Sequence, residues 1–222
     1  MSGKKPQEHK NRIMRMYDIL EKYFGDLGWW PAETDFEVIV GAILTQNTAW
    51  TNVEKAIRVL KDKRLLDPRK IVGMKEERLS RVIRSAGYHR LKAQRLKAVS
   101  RFILTECNGA LCRLKKKDTG ELRKRFLSVN GIGPETADSI LLYALGKPVF
   151  VVDAYARRIF SRHALAREDD AYEDIQFLVR ANFPMKEKTL NRFHAFLVET
   201  AKRFCGKRKK ICEECPLGKM QH

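Results

Sequence analysis

Gly131-Ile132-Gly133 stands between two helical patterns, and Asp153 follows Glu135 by eighteen residues. The stretch before the glycines, Glu121 to Val129, reads as a short helix opened by Asp118 or Thr119. The stretch after them, Pro134 to Leu145, sets Ala137, Ile140, Leu141, Ala144 and Leu145 on one face at helical spacing. Pro134 suits a first helical turn, where its missing N–H costs nothing. Such a turn leaves backbone N–H groups at a helix N-terminus able to hold a phosphate, and glycine lets a ligand come close. An ordinary helical hairpin fits the same residues. Glu135 sits where the helix dipole favours a carboxylate, and Asp153, just ahead of Ala154, has the place of an N-cap. Trp29-Trp30-Pro31 and Trp50 flank an apolar stretch that ends near Gln46, either as core or as an aromatic cage. Cys205, Cys212 and Cys215 crowd the C-terminus, where they could ligate a metal.

The elements that must position these groups read as helical almost throughout. Residues 8–24 carry Ile13, Met16, Tyr17, Leu20 and Phe24 at helical spacing, behind a polar start (Ser2 to Lys10) expected to fray. Thr34 with Glu37 forms a capping box ahead of Phe36 to Leu44, apolar enough for a central buried helix. Thr48, or Thr51 with Glu54, is expected to open the next helix, and Asp67-Pro68 another. Residues 89–107 repeat the period, with Gly109 as a stop. Val149 to Val152 is β-like but too short and isolated for a sheet, and late helices are expected at about 154–163, 171–182 and 187–204. The fold class is all-α.

Lys and Arg total 45 against 27 Asp and Glu, a formal net charge of +18, which points to a polyanionic partner, most simply nucleic acid. Two basic runs stand out. Arg113, Lys115, Lys116, Lys117, Arg123, Lys124 and Arg125 lead into the glycine turn, and Lys202, Arg203, Lys207, Arg208, Lys209 and Lys210 surround the last cysteines. Each run alone could be a solvated face; flanking one phosphate-shaped turn, they suggest a DNA-facing surface. No run is apolar and long enough to cross a bilayer, and the cysteine pattern suits a reducing interior.

Four motifs in order resemble those of the helix-hairpin-helix (HhH-GPD) DNA glycosylase superfamily, in its endonuclease III-like branch. They are Leu44-Thr-Gln-Asn-Thr48, Ala86-Gly-Tyr-His-Arg-Leu-Lys-Ala93, Leu127-Ser-Val-Asn-Gly-Ile-Gly-Pro-Glu-Thr-Ala137 and Val151-Val-Asp153, and the resemblance spans about residues 30 to 217. It implies two helical lobes: a six-helix barrel at 34–147 carrying the hairpin (about 119–146), and a second domain of 1–33 plus 148–222 carrying the cysteines. A flipped base would lie in a cleft between them. It also implies that Asp153 stabilises the oxocarbenium character of the sugar as the base departs and activates water. Bifunctional members carry lysine where this chain has Glu135, and a carboxylate forms no Schiff base, so a monofunctional enzyme is expected. Glu135 would position water or sugar. Trp30, Pro31 and Trp50 match the pocket of the endonuclease III-like 3-methyladenine glycosylases, whose ring faces attract a cationic alkylated purine. Gln46 would fill the gap left in the duplex, and Gly131, Ile132, Gly133, Tyr88, Lys92, Lys207 and Arg208 would meet DNA. Main-chain carbonyls of Leu127, Val129 and Ile132 would hold a monovalent cation.

Cys205, Cys212 and Cys215 open the branch's iron–sulfur spacing, but Gln221 stands where the fourth cysteine would fall, beside His222. A four-iron, four-sulfur cluster with one iron otherwise bound, a zinc completed by His222, or a lost site all remain open. The expectation is thus a monomeric, cytoplasmic, prokaryote-like repair enzyme acting on damaged double-stranded DNA. Its competitors are a thymine, uracil or oxidised-pyrimidine glycosylase and a non-catalytic DNA-binding module.

Overall fold

The structure, a computed structural model, describes residues 4–30 and 32–220, with side chains from residue 8 onward. In chain order the helices are α1 (Lys4–Phe24), α2 (Asp35–Leu44), α3 (Trp50–Asp62), α4 (Pro68–Gly73), α5 (Glu76–Val82), α6 (His89–Cys107), α7 (Thr119–Leu127), α8 (Pro134–Ser139), α9 (Ala154–Arg162), α10 (Tyr172–Asn182) and α11 (Glu187–Arg203). No strand occurs among the described residues. The chain forms two compact units, Trp30–Lys147 and a second built from the segments before and after it.

In the first unit α2 is the axis. All its residues from Phe36 to Leu44 are buried, as its unbroken apolar run requires. Thr34 caps it by accepting from the Glu37 N–H at 3.1 Å, while the Glu37 carboxylate accepts from the Glu33 N–H and pairs with Lys61 at 2.8 Å. Asp67 caps α4 and Asp118 caps α7, each through its carboxylate. The helix α7 runs from Thr119 to Leu127, offset towards the N-terminus from the expected Glu121 to Val129. The helix after the hairpin also departs from expectation: α8 gives way at Ile140–Ala144 to a wider π turn. The short α5 has too few residues to show a period and was not anticipated. Asn108 takes the left-handed C-cap position of α6, with Gly109 just beyond it.

Two further expectations need correction here and in the second unit. Neither Thr48 nor Thr51 caps α3; Ala49 holds the N-cap position, because the Thr48 hydroxyl donates to the Ala86 carbonyl at 2.7 Å and Glu54 accepts from the Trp50 indole at 2.7 Å. The polar N-terminus is helical from Lys4, with Ser2 and Gly3 outside the described residues, and Ile13, Met16 and Leu20 anchor that helix in its core. In that second unit α1, α10 and α11 pack around an aromatic core, in which Phe183 and Phe193 lie 4.7 Å apart by ring centroids and Tyr17 meets both. Val149–Val152 is buried and extended but pairs with no strand. Two of its main-chain groups are met by side chains of α10: the Val152 N–H donates to the Tyr172 hydroxyl at 3.2 Å, and Gln176 donates to the Phe150 carbonyl at 2.9 Å.

Candidate functional site

The glycine turn is fixed by one apolar side chain and one backbone geometry. Ile132 is buried, and Gly131 adopts φ +85°. A Cβ on Gly131 would come within 2.4 Å of the Arg95 side chain, so only glycine fits. The Val129 carbonyl accepts from the Ile132 N–H at 3.1 Å, closing the turn, and Pro134 starts α8 directly after it, bringing the positive end of the helix dipole to the turn. Glu135 is exposed in that first turn.

Gln46 belongs to the same site. Its Nε2 donates to the Gly131 carbonyl at 3.1 Å and to Thr136 Oγ1 at 2.9 Å, and its Oε1 accepts from Arg95. Arg95 and Thr136 were not singled out by sequence reasoning, and no local pattern marks them: the contacts join positions 49 to 90 residues apart. Tyr88 is 69% exposed and left-handed at φ +44°.

Lys92 corrects an expectation. It is 1% exposed, and its Nζ donates to the Leu44 carbonyl, Thr48 Oγ1 and the Ala86 carbonyl at 2.6 to 2.7 Å. Burial, with the Arg95 charge, pushes its ammonium down to about 8. A buried amine with three partners cannot reach a phosphate; Lys92 instead ties α6 to the loop that carries Gln46.

The aromatic residues form a compact group. Trp30, left-handed at φ +60°, stacks on Tyr143 with ring centroids 4.8 Å apart and meets Trp50 edge-on at 5.4 Å. Its indole lies over Gly41 of α2, where a Cβ would come within 3.3 Å. Tyr143 was missed because it sits among the apolar residues of the π turn. Pro31 lies outside the described residues.

In the second unit Asp153 does cap α9, with Oδ1 accepting from the Tyr155 and Ala156 N–H groups at 3.0 and 2.7 Å. Its other oxygen, Oδ2, lies 3.5 Å from His194 Nε2 of α11, and the Asp153 side chain keeps 14% exposure. One carboxylate therefore divides its oxygens between a cap and a histidine. His194 carries no signal in the sequence, being one more residue on a buried helix face.

Near the C-terminus, Cys205 Sγ accepts from the Arg162 guanidinium at 2.9 Å, and burial pushes the Cys215 thiol up, with smaller contributions from Cys205 and Cys212. A Cβ on Gly218 would meet the Cys212 carbonyl oxygen at 1.8 Å, so the loop winds tightly there. No group of three or more His, Cys, Asp or Glu among the described residues is gathered closely enough to hold a metal ion. Gln221 and His222 lie outside those residues. The described residues supply the three thiols expected of a cluster with one iron otherwise bound, and the residue expected to complete a zinc site falls outside them.

The basic runs divide unevenly. Lys115 pairs with Asp35, Lys117 and Arg125 with Glu106, and Arg123 with buried Asp138, so the run before the hairpin is largely consumed by the protein's own acids. Lys207, Arg208, Lys209 and Lys210 are exposed. Among the described residues no helix is long and apolar enough to cross a membrane.

Residues 40–185 match the model of the HhH-GPD superfamily base excision DNA repair proteins. A putative DNA repair glycosylase of Methanocaldococcus jannaschii is 48% identical over 92% of this chain and 93% of its own length. Among solved structures, a trapped endonuclease III–DNA covalent intermediate aligns with TM-score 0.80 at 23% identity, covering 94% of this chain and 93% of that one. The H. pylori 3-methyladenine DNA glycosylase bound to 1,N6-ethenoadenine aligns with TM-score 0.74 at 28% identity, covering 88% and 97%. The chain belongs to the HhH-GPD superfamily, on its endonuclease III-like side, and is a DNA repair glycosylase.

Proposed function

We propose that this glycosylase is monofunctional, drawing an N-alkylated purine such as 3-methyladenine out of duplex DNA and hydrolysing its N-glycosidic bond. The observation that carries this reading is the aromatic group of Trp30, Trp50 and Tyr143. Electron-rich rings favour a cationic alkylated base over neutral thymine or uracil, and such a base is already a good leaving group. The H. pylori 3-methyladenine glycosylase supports the same assignment as a structural relative.

In this reading the bonding electrons leave with the base, water adds to the anomeric carbon, and its proton passes to Asp153 or solvent. Asp153, fixed by its cap bonds and lying beside His194, stabilises the positive sugar. Glu135 offers no amine, so the product is an intact abasic strand. The hairpin of Gly131, Ile132 and Gly133 takes a DNA phosphate, and the carbonyls of Leu127, Val129 and Ile132 serve a monovalent cation. Tyr88, Lys207 and Arg208 meet DNA, and Gln46 enters the space of the extruded nucleotide.

The test is a base-release screen over alkylated, deaminated and oxidised duplexes, with strand nicking and borohydride trapping scored separately. Release of 3-methyladenine without nicking or a trapped adduct is expected. Preferential release of thymine or uracil from mismatches, or nicking in step with release, would overturn the reading.

A further inference from the structure

Gln46 is not left projecting from the surface. Three of the four hydrogen-bonding positions of its amide are used, and all three partners belong to the hairpin or to the arginine beneath it. Arg95 runs directly under Gly131, where even a methyl group would collide with its stem, and its Nε is buried without a hydrogen-bond partner. Lys92, one helical turn earlier on α6, holds the other side of the same loop through Leu44 and Thr48. The loop is therefore fastened, and Gln46 is fastened to the turn offered to phosphate.

We infer that Arg95 and Thr136 are positioning residues that store Gln46 on the hairpin and release it when the DNA backbone docks there. A phosphate at the turn competes for the Arg95 guanidinium, whose bond to Gln46 Oε1 is then given up. The amide is left with two neutral bonds, to Gly131 and Thr136, and swings out. Docking and penetration of the duplex become one coupled event, and Gln46 stays retracted until the backbone is in place. This rests on the reading of Gln46 as the residue that enters DNA.

The experiment uses the full chain and a duplex with a tetrahydrofuran abasic analogue beside 2-aminopurine, whose fluorescence reports penetration without any base release. Thr136→Val removes the acceptor at nearly constant volume and is expected to speed the fluorescence change about fivefold, the worth of one hydrogen bond. Thr136→Ala should act in the same direction if the valine protein folds poorly, and Thr136→Ser should restore the original rate. In a Gln46→Ala background Thr136→Val should bring no gain, an outcome that a purely structural threonine would not give. An unchanged or slower rate in folded Thr136→Val, or a gain persisting without Gln46, overturns the inference. If Gln46→Ala alone leaves the signal intact, the reading of Gln46 falls and takes the latch with it. The choice of damaged base is untouched by either result.

Discussion

Asp153 caps α9 and, in the proposed mechanism, serves the reaction, and one substitution can separate the two. Asparagine caps a helix as well as aspartate does, so Asp153→Asn is expected to unfold within about 0.5 kcal/mol of the parent. It removes the charge that the proposed mechanism places beside the sugar, and base release should fall roughly 100- to 1,000-fold, measured under single-turnover conditions beside a urea melt. Lys92 gives a second residue-level expectation. Below about pH 8 the folded and unfolded chains both hold its proton, and the folded state bears the whole cost of a buried ammonium. Between about 8 and 10.5 the unfolded chain keeps the proton that the folded chain has lost, so this group's contribution to stability rises with pH. Urea unfolding across that window should show the parent gaining on Lys92→Met; parallel curves would show that its ammonium titrates normally.

At the scale of elements, the hairpin depends on how α7 and α8 are joined. Arg123 grips buried Asp138 through two hydrogen bonds of 2.8 and 3.1 Å, linking the helices that flank the glycine turn. Removing one partner strands the other, and Asp138→Ala should cost about 3 kcal/mol, read as a lower urea midpoint. The caps at Thr34, Asp67, Asp118 and Asp153 were legible in the sequence because each is settled within three residues. The glycine turn was legible for the same reason. Thr48 misled because a hydroxyl that looks like a cap was claimed by Lys92, 44 residues away. Lys92 misled in turn, since a cation in a basic, DNA-like motif reads as a phosphate contact until its burial is known. Arg95, Tyr143 and His194 were invisible: what gives them meaning is a partner brought near only by folding.

At the scale of the whole molecule, charge is divided between frame and partner. Because Lys117 is paired with Glu106, Lys117→Gln should lower stability and leave the salt dependence of DNA binding unchanged. Replacing both Lys207 and Arg208 by Gln should instead reduce the slope of log K against log salt by about 2, with little change in the melt. Equal slopes for the two proteins in a titration would show that the exposed cations do not neutralise phosphates.

That internal pairing bears on how the enzyme moves along a chromosome. Forty-five Lys and Arg side chains, all free to meet phosphate, would glue it to every stretch of intact duplex it met. With Glu106, Asp35 and Asp138 already holding several of those cations, the grip on undamaged sequence is softer than the count of basic residues suggests. Short dwell times are the expected result, leaving the protein free to inspect many sites before it stops at one.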